Sequence, residues 1–504
     1  MSLIQVTDLS FSYDGSYEPV FENVTFQIDT DWKIGFTGRN GRGKTTFLNL
    51  LMKRYPYAGK IHSSVKFEYF PFFISDEERN TLDIVDSLLE SGEIWMIKRE
   101  LSRLQVSEEI LYRPFSTLSK GQQTKVLLAA LFLKENSFLL IDEPTNHLDV
   151  EGREAVSRYL KSKNGFILVS HDRKFLDDCV DHILSINKTN IEVQRGNFST
   201  WYENKQKTDQ YEQAEQERLK KEVRHLEIAA KQSKKWADQA ESTKLGKRSA
   251  VHEKSIDTRA YVGEKSRRMH MRRKNLEHRQ ERAINEKKNL LKNVEEAESL
   301  KLYPEIHHTN RILSLKEVTP FFEKPVCRPV TFDLEQGQRV CLAGRNGSGK
   351  STILKLVLEK EHLDLKMKYK GTLETASGLK ISYVSQDTSF LTGSLTDYAR
   401  ECRIEESLFK SVLKKLDISR EQFEMPMERY SEGQKKKVLI ARSLCERAHL
   451  YIWDEPLNFI DVYSRIQIEN LIQQFKPTML FVEHDEVFTG KIATGKVLLE
   501  QVDF

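Results

Sequence analysis

Apolar residues in this chain come in short unbroken runs, and several runs stop at groups able to do chemistry. Phe138-Leu139-Leu140-Ile141 ends at Asp142-Glu143, and Ile167-Leu168-Val169 ends at Ser170-His171-Asp172. Runs this short, apolar at every position, predict strands buried on both faces of a parallel sheet. The pattern then returns: Tyr451-Ile452-Trp453 precedes Asp454-Glu455, and Phe481-Val482 precedes Glu483-His484-Asp485. Residues 203–303 differ, with no strand pattern and no proline before Pro304. Leu219, Val223 and Leu226 fall at i, i+4 and i+7, and Leu276, Ala283, Ile284, Leu291 and Val294 keep a similar period. That spacing predicts two amphipathic helices of opposite direction packed on their apolar stripes, with a tip near 241–263 where Gly246 and Gly263 interrupt the pattern. A helix from about Lys205 to Ala240 would extend on the order of 50 Å at 1.5 Å per residue. The expected domains are therefore 1–202, a helical hairpin over 203–303, and 304–504.

Two glycine-rich stretches supply the chemistry. Gly38-Arg39-Asn40-Gly41-Arg42-Gly43-Lys44-Thr45-Thr46 and Gly344-Arg345-Asn346-Gly347-Ser348-Gly349-Lys350-Ser351-Thr352 both fit G-x-x-x-x-G-K-[ST]. In such a loop the backbone N–H groups wrap phosphate, the lysine reaches the terminal phosphates and the hydroxyl holds Mg²⁺. The first loop follows the apolar strand at 34–37 and opens a helix at Lys44, the context this chemistry needs.

Downstream, Ser119, Gly121 and Gln122 precede the apolar helix VLLAALFL, and Ser431, Gly433 and Gln434 repeat the arrangement. By itself this is a helix cap, but a helix N-terminus also presents N–H groups to a phosphate. Asp142 and Asp454 are placed to take Mg²⁺, and Glu143 and Glu455 to orient or deprotonate a water. His171 and His484 close the strand-end set, although a lone histidine is often structural. Tyr13 fits either a strand tyrosine or an adenine platform. Corresponding residues of the two halves lie 306 to 313 positions apart, so the chain is a tandem duplication of one nucleotide-binding domain.

Composition alters this picture in one place. Residues 231–290 hold 18 Lys and Arg against 8 Asp and Glu, whereas the whole chain is only +4, so a basic middle lies between mildly acidic ends. A spacer has no use for that excess, whereas each neutralised phosphate of a nucleic acid adds affinity. Arg267, Arg268, Arg272, Arg273 and Lys274 lie near Tyr261, Met269 and Met271, a mixture suited to structured RNA. Apolar runs fall short of the ~18 residues of a membrane span, and five cysteines without a C-x-x-C pair suggest a reducing, cytoplasmic setting.

In order, the motifs resemble those of the ABC superfamily: phosphate loop, LSGGQ-type signature, acidic strand, D-loop (Leu148-Asp149 and Ile460-Asp461) and switch histidine. The resemblance implies an α/β fold with two tandem ABC-type ATPase domains, joined here by a long coiled-coil hairpin, and two ATP with Mg²⁺ held in a head-to-tail sandwich. Lys44, Thr45, Asp142, Glu143 and His171 would face Ser431 and Gly433, and Lys350, Ser351, Asp454, Glu455 and His484 would face Ser119 and Gly121. It also implies a Q-loop glutamine for the metal, which Gln386 supplies and Phe72 does not. A phenylalanine can neither ligate Mg²⁺ nor hold a water, so the first site is expected to bind ATP but hydrolyse it differently. Phe322 would replace Tyr13 as the second adenine platform.

Two cassettes without a membrane domain, joined by a basic hairpin, are similar to the ABC-F proteins. GRNGRGKTT at 38–46, RPFSTLSKG at 113–121, GFILVSHD at 165–172, GNFS at 196–199 and YIWDEPLNFID at 451–461 resemble the Lsa-type branch, which protects the ribosome from antibiotics. The resemblance implies a cytoplasmic monomer that meets large-subunit rRNA and P-site tRNA of the bacterial ribosome through residues 203–303. No DNA partner is expected, because only 20 residues follow His484. A translation or ribosome-assembly factor without a resistance role is the alternative, and a transporter's ATPase subunit a more remote one.

Overall fold

Each half of the chain builds a sheet around the strand that feeds its phosphate loop. In the first half the spatial order is Lys66–Phe70, Ser137–Asp142, Phe166–Val169, Lys33–Thr37, His182–Ile186 and Ile191–Arg195. All neighbours are parallel except the last pair. The second half repeats the order with Ile381–Val384, Leu450–Asp454, Met479–Val482, Arg339–Ala343 and Gly495–Leu498, all parallel. Phe138 to Ile141 and Ile167 to Val169 are buried, as the apolar runs require of strands covered on both faces.

The structure, a computed structural model, describes residues 2–208 except 14–18, 73, 75, 90–93, 147 and 187–189, isolated positions between 210 and 232, and residues 300–501 except 323 and 362–366. A three-stranded antiparallel sheet lies in each half, with Leu3–Phe11 between Phe21–Asp29 and Ala58–His62, and Arg311–Phe321 between Val330–Glu335 and Lys368–Thr375. The helix after the first phosphate loop, Lys44–Leu51, buries Phe47 against the rings of Phe21, Phe26 and Phe36 at 5.5 to 6.0 Å. This packing fixes the loop above the centre of the sheet.

Parallel strands gather their ends at one edge. Asp142 lies level with Val169, and Phe36 lies on the other side of the same residue, so the phosphate loop, the acidic pair and His171 emerge together. The second half does the same, with Asp454 level with Val482, which also neighbours Leu342. Open α/β sheets bind ligands outside this edge.

Residues 1–201 and 298–504 form one compact unit, and Tyr202–Ala297 form another. Within the second unit Arg218 pairs with Glu222 one helical turn away at 3.3 Å. The predicted tip at 241–263, the returning helix and its arginines lie outside the described residues. Within the first unit, residues 198–201 are helical, and Trp201 packs edge-on against Tyr463 at 6.4 Å. Leu300 and Leu302 are buried in the second half's core, and Glu305 N donates to Ala448 O at 2.8 Å. Among the described residues no helix is long and apolar enough to cross a membrane.

Candidate active site

The two halves meet head to tail. A cavity of about 870 Å³ is lined on one side by Asn346, Gly347, Gly349, Lys350, Ser351 and Thr352, and on the other by Ser119, Gly121 and Gln122. Gln386, Glu455 and His484 also line it. At the other phosphate loop, Asn40 Nδ2 donates to Phe459 O of the second half at 3.0 Å, and a Cβ on Gly433 would lie 3.4 Å from Asn40 Nδ2. Each phosphate loop thus faces the other half's signature segment.

Local geometry shapes both loops for an anion. Gly41, Gly43, Gly347 and Gly349 have φ of 82 to 92°. A Cβ on Gly43 would come within 2.6 Å of Val20 and one on Gly349 within 2.8 Å of Val326, so only glycine fits. Lys44 Nζ donates to Gly38 O at 2.7 Å, Arg39 O at 3.2 Å and Asn40 Oδ1 at 3.2 Å. Lys350 Nζ donates to Gly344 O at 2.9 Å and Arg345 O at 2.8 Å. Both ammonium groups are therefore held inside their loops, where a phosphate would meet them.

Ser119 and Ser431 are true helix caps. Gln122 N donates to Ser119 Oγ at 3.2 Å and Ser119 N to Gln122 Oε1 at 3.0 Å, and the matching pair in Ser431 and Gln434 measures 3.3 and 2.9 Å. Capping and phosphate recognition are compatible, because each serine hydroxyl accepts here and retains its proton to donate.

A hydroxyl and a carboxylate meet beside each lysine. Thr45 Oγ1 donates to Asp142 Oδ2 and Ser351 Oγ to Asp454 Oδ1, both at 3.2 Å. These hard oxygen donors suit Mg²⁺. The neighbouring glutamates share an unusual backbone: Glu143 has φ of 51° and Glu455 of 46°, left-handed values that a side chain rarely adopts. His171 Nε2 lies 3.3 Å from Glu143 Oε1, and His484 Nε2 3.3 Å from Glu455 Oε1.

Beyond this framework the sites diverge. Glu455 Oε2 accepts from Gln386 Nε2 at 2.8 Å and from Asn458 Nδ2 at 2.7 Å. Burial opposes its charge, but His484, Lys350 and Lys436 outweigh burial and hold the carboxyl below its ordinary value. Asp454 beside it is pushed up to about 6 by burial. Among the described residues Glu143 has no such donors: Phe72 stands where Gln386 would be, and Glu143 Oε1 is buried without an aligned hydrogen bond. Burial, reinforced by Asp142, pushes its carboxyl up to about 8. Burial also raises Asp142 and, together with the charges of Lys44 and Arg465, depresses His171 well below the usual imidazole range. Lys437 and Asp461 of the second half form a buried pair at 2.9 Å, and both act on Lys44 electrostatically.

Tyr13 Oη lies 2.7 Å from Thr46 Oγ1, with its ring edge-on to Phe11 and Tyr55. Phe322 is 70% exposed and does not line the 870 Å³ cavity; Val326 does. The chain turns at Phe322, whose N donates to Lys324 O at 3.3 Å, which leaves the ring on the surface. Sequence reasoning passed over Asn458, Lys436 and Tyr69, whose hydroxyl donates to Asp142 Oδ2 at 3.0 Å. Asn458 had a signal, since Asn146 and Asn458 each follow their glutamate by three positions. It also passed over the cross-contacts of the loop arginines: Arg39 with Asp417 at 2.5 Å and over the Tyr463 ring at 5.6 Å, and Arg345 with Glu151 at 2.8 Å. Arg173 makes a buried two-pronged pair with Glu469 across the halves.

Comparison with known proteins gives the same picture. The chain is 28% identical to the ribosome protection protein VmlR of Bacillus subtilis, over 98% of this chain and 86% of that protein. It is 26% identical to the putative ATP-binding protein YdiF of Bacillus subtilis, over 98% and 79%. Among solved structures, the RNase-L inhibitor aligns with a TM-score of 0.59 at 16% identity, over 98% of this chain and 88% of that one, a likeness of fold. The family model described as ABC transporter matches residues 21–146 and 327–458, slightly more than half of the chain. With both matches falling on the two phosphate-loop halves, the chain belongs to the ABC transporter family and carries two of its ATPase domains in tandem.

Proposed function

We propose that this ATPase is an ABC-F protein of the ribosome-protection type. Closure of its cassettes on ATP favours binding to the bacterial ribosome at the tRNA exit site, and the basic segment 203–303 then reaches toward the peptidyl-transferase centre. There it rearranges P-site tRNA and large-subunit rRNA and displaces lincosamide, streptogramin A or pleuromutilin drugs. The observation that carries this reading is the head-to-tail pairing of both phosphate loops with the opposite signature segments, around a chain whose only strongly basic stretch lies between the cassettes. Similarity to a ribosome protection protein over 98% of the chain supports it. ATP drives the change only through its greater affinity for the closed state.

In this reading Lys44, Lys350 and the loop N–H groups bind phosphate, and Ser119 and Ser431 close the sites from across the interface. Magnesium held through Thr45 and Asp142, or Ser351, Asp454 and Gln386, supplies charge neutralisation when bound. Glu455, ionised and held by Gln386 and Asn458, accepts the proton of the attacking water while His484 fixes its orientation. Glu143 and His171 hold the same places at a slower site.

The test is sedimentation of the Glu143→Gln/Glu455→Gln protein with bacterial ribosomes. Pelleting only with ATP is the expected result, and a protein that stays in the supernatant with ATP sinks the reading. A second reading, a translation or assembly factor, draws on the relatives whose names say ATP-binding protein, at 26% identity. Expression in a susceptible bacterium separates the two: unchanged drug tolerance, with ribosome binding intact, favours the second.

A further inference from the structure

Tyr69 and Tyr383 occupy the same place in the two sheets. Tyr69 is level with Leu140 and Tyr383 with Ile452, each two residues before the strand-end aspartate. Each also stands three residues before the Q-loop position, Phe72 in one half and Gln386 in the other. Their hydroxyl contacts nevertheless differ. Tyr69 Oη donates to Asp142 Oδ2 at 3.0 Å, the oxygen that also accepts from Thr45 Oγ1 at 3.2 Å. Among the described residues, Tyr383 makes no hydrogen bond to Asp454, whose carboxylate accepts from Ser351. The Tyr69 ring is held by the Arg54 guanidinium 5.6 Å above it.

Polar support therefore falls on opposite members of the acidic pair. In the second half Gln386 and Asn458 hold the glutamate, and in the first half Tyr69 holds the aspartate. We propose that Tyr69 is the positioning residue of the first site, a hydroxyl that fixes Asp142 for its divalent cation where Phe72 has removed the Q-loop glutamine. With two donors on Oδ2, the carboxylate keeps one orientation and has Oδ1 left for the cation's shell. The inference rests on the first site holding a magnesium nucleotide. Groups that orient a metal-binding carboxylate typically change cation affinity by about 10- to 100-fold when removed.

The experiment uses the full chain carrying Lys350→Met, which confines tight nucleotide binding to the first site, and follows Mn²⁺ by electron paramagnetic resonance with ADP present. Tyr69→Phe is expected to weaken nucleotide-dependent Mn²⁺ binding about tenfold or more while leaving the melting temperature and cation-free ADP binding unchanged. Adding Phe72→Gln to that variant is expected to recover most of the loss. Tyr383→Phe in a Lys44→Met chain is expected to leave Mn²⁺ binding at the second site as it was. Unaltered Mn²⁺ affinity in Tyr69→Phe, or an equal loss in Tyr383→Phe, overturns the proposal. Absence of any nucleotide-dependent Mn²⁺ in the Lys350→Met parent overturns the reading of the first site itself, and the role of Tyr69 with it.

Discussion

The first and second nucleotide sites share loops, strand ends and backbone geometry, yet they hold their glutamates in opposite conditions. Glu455 has two amide donors on one oxygen and cations around it, which keep it ionised. Glu143 is half-buried, with its Oε1 shut off from solvent and Phe72 in place of an amide, and desolvation of the carboxyl, reinforced by Asp142, pushes it up to about 8. The same residue type is thus held ionised by its neighbours in one setting and has its charge opposed by desolvation in the other. Duplication conserves what the backbone dictates, whereas proton affinity depends on neighbours that the two halves do not share.

The largest expected effect separates the two glutamates. Glu455→Gln should lower steady-state ATP turnover by about a hundredfold or more, within the usual range for a lost general base, and Glu143→Gln by less than about threefold. Equal losses, measured by phosphate release, would break the comparison.

Next comes pH. In a Glu455→Gln chain the residual turnover should rise as pH climbs through about 8 and Glu143 ionises. Stability should move the other way. Because the folded chain binds this proton more tightly than the unfolded chain, stability is lost as pH rises from the ordinary carboxylate range through about 8. Thermal melts of wild type and Glu143→Gln across that window should converge at its acid end and separate at its alkaline end.

A smaller effect is expected from exchanging the Q-loop residues. Gln386→Phe removes one of two donors to Glu455 and should slow turnover a little more than tenfold, for a hydrogen bond to a charged group worth roughly 1.5 kcal/mol. Phe72→Gln should raise the turnover of a Glu455→Gln chain a few-fold. The smallest effect concerns the loop arginines. Arg345 and Glu151 are both exposed, so Arg345→Ala should alter ATP-dependent closure by no more than about 0.5 kcal/mol. Arg39, less exposed between Asp417 and Tyr463, should matter more, and calorimetric ATP titration of the two variants gives the order.

Most of the fold was legible because short apolar runs ending in acids leave few alternatives, and the second half repeats the first. The phosphate loops, the acidic pairs and the capping serines could be named because their contacts are local or set by strand order. What escaped depends on side-chain direction across a sheet or an interface. Nothing in the sequence separates Tyr69 from Tyr383, since a hydroxyl's partner is decided by tertiary packing. For Phe322, aromatic character is visible in sequence, whereas the turn that leaves the ring on the surface is not.

The left-handed backbone of Glu143 and Glu455 also limits how either site can decay by mutation. At φ near +50° a β-branched side chain is a steric outlier, whereas glycine, asparagine and aspartate settle there most readily. A lineage that loses hydrolysis at one site can therefore pass through an unbranched amide or a glycine without disturbing the strand end, but valine, isoleucine or threonine would strain the loop on which nucleotide binding depends. Silent sites in such twin cassettes should then retain their nucleotide-binding shape long after their chemistry has gone, and a search for decayed copies should look for the glutamate's small or amide replacements rather than for a broken loop.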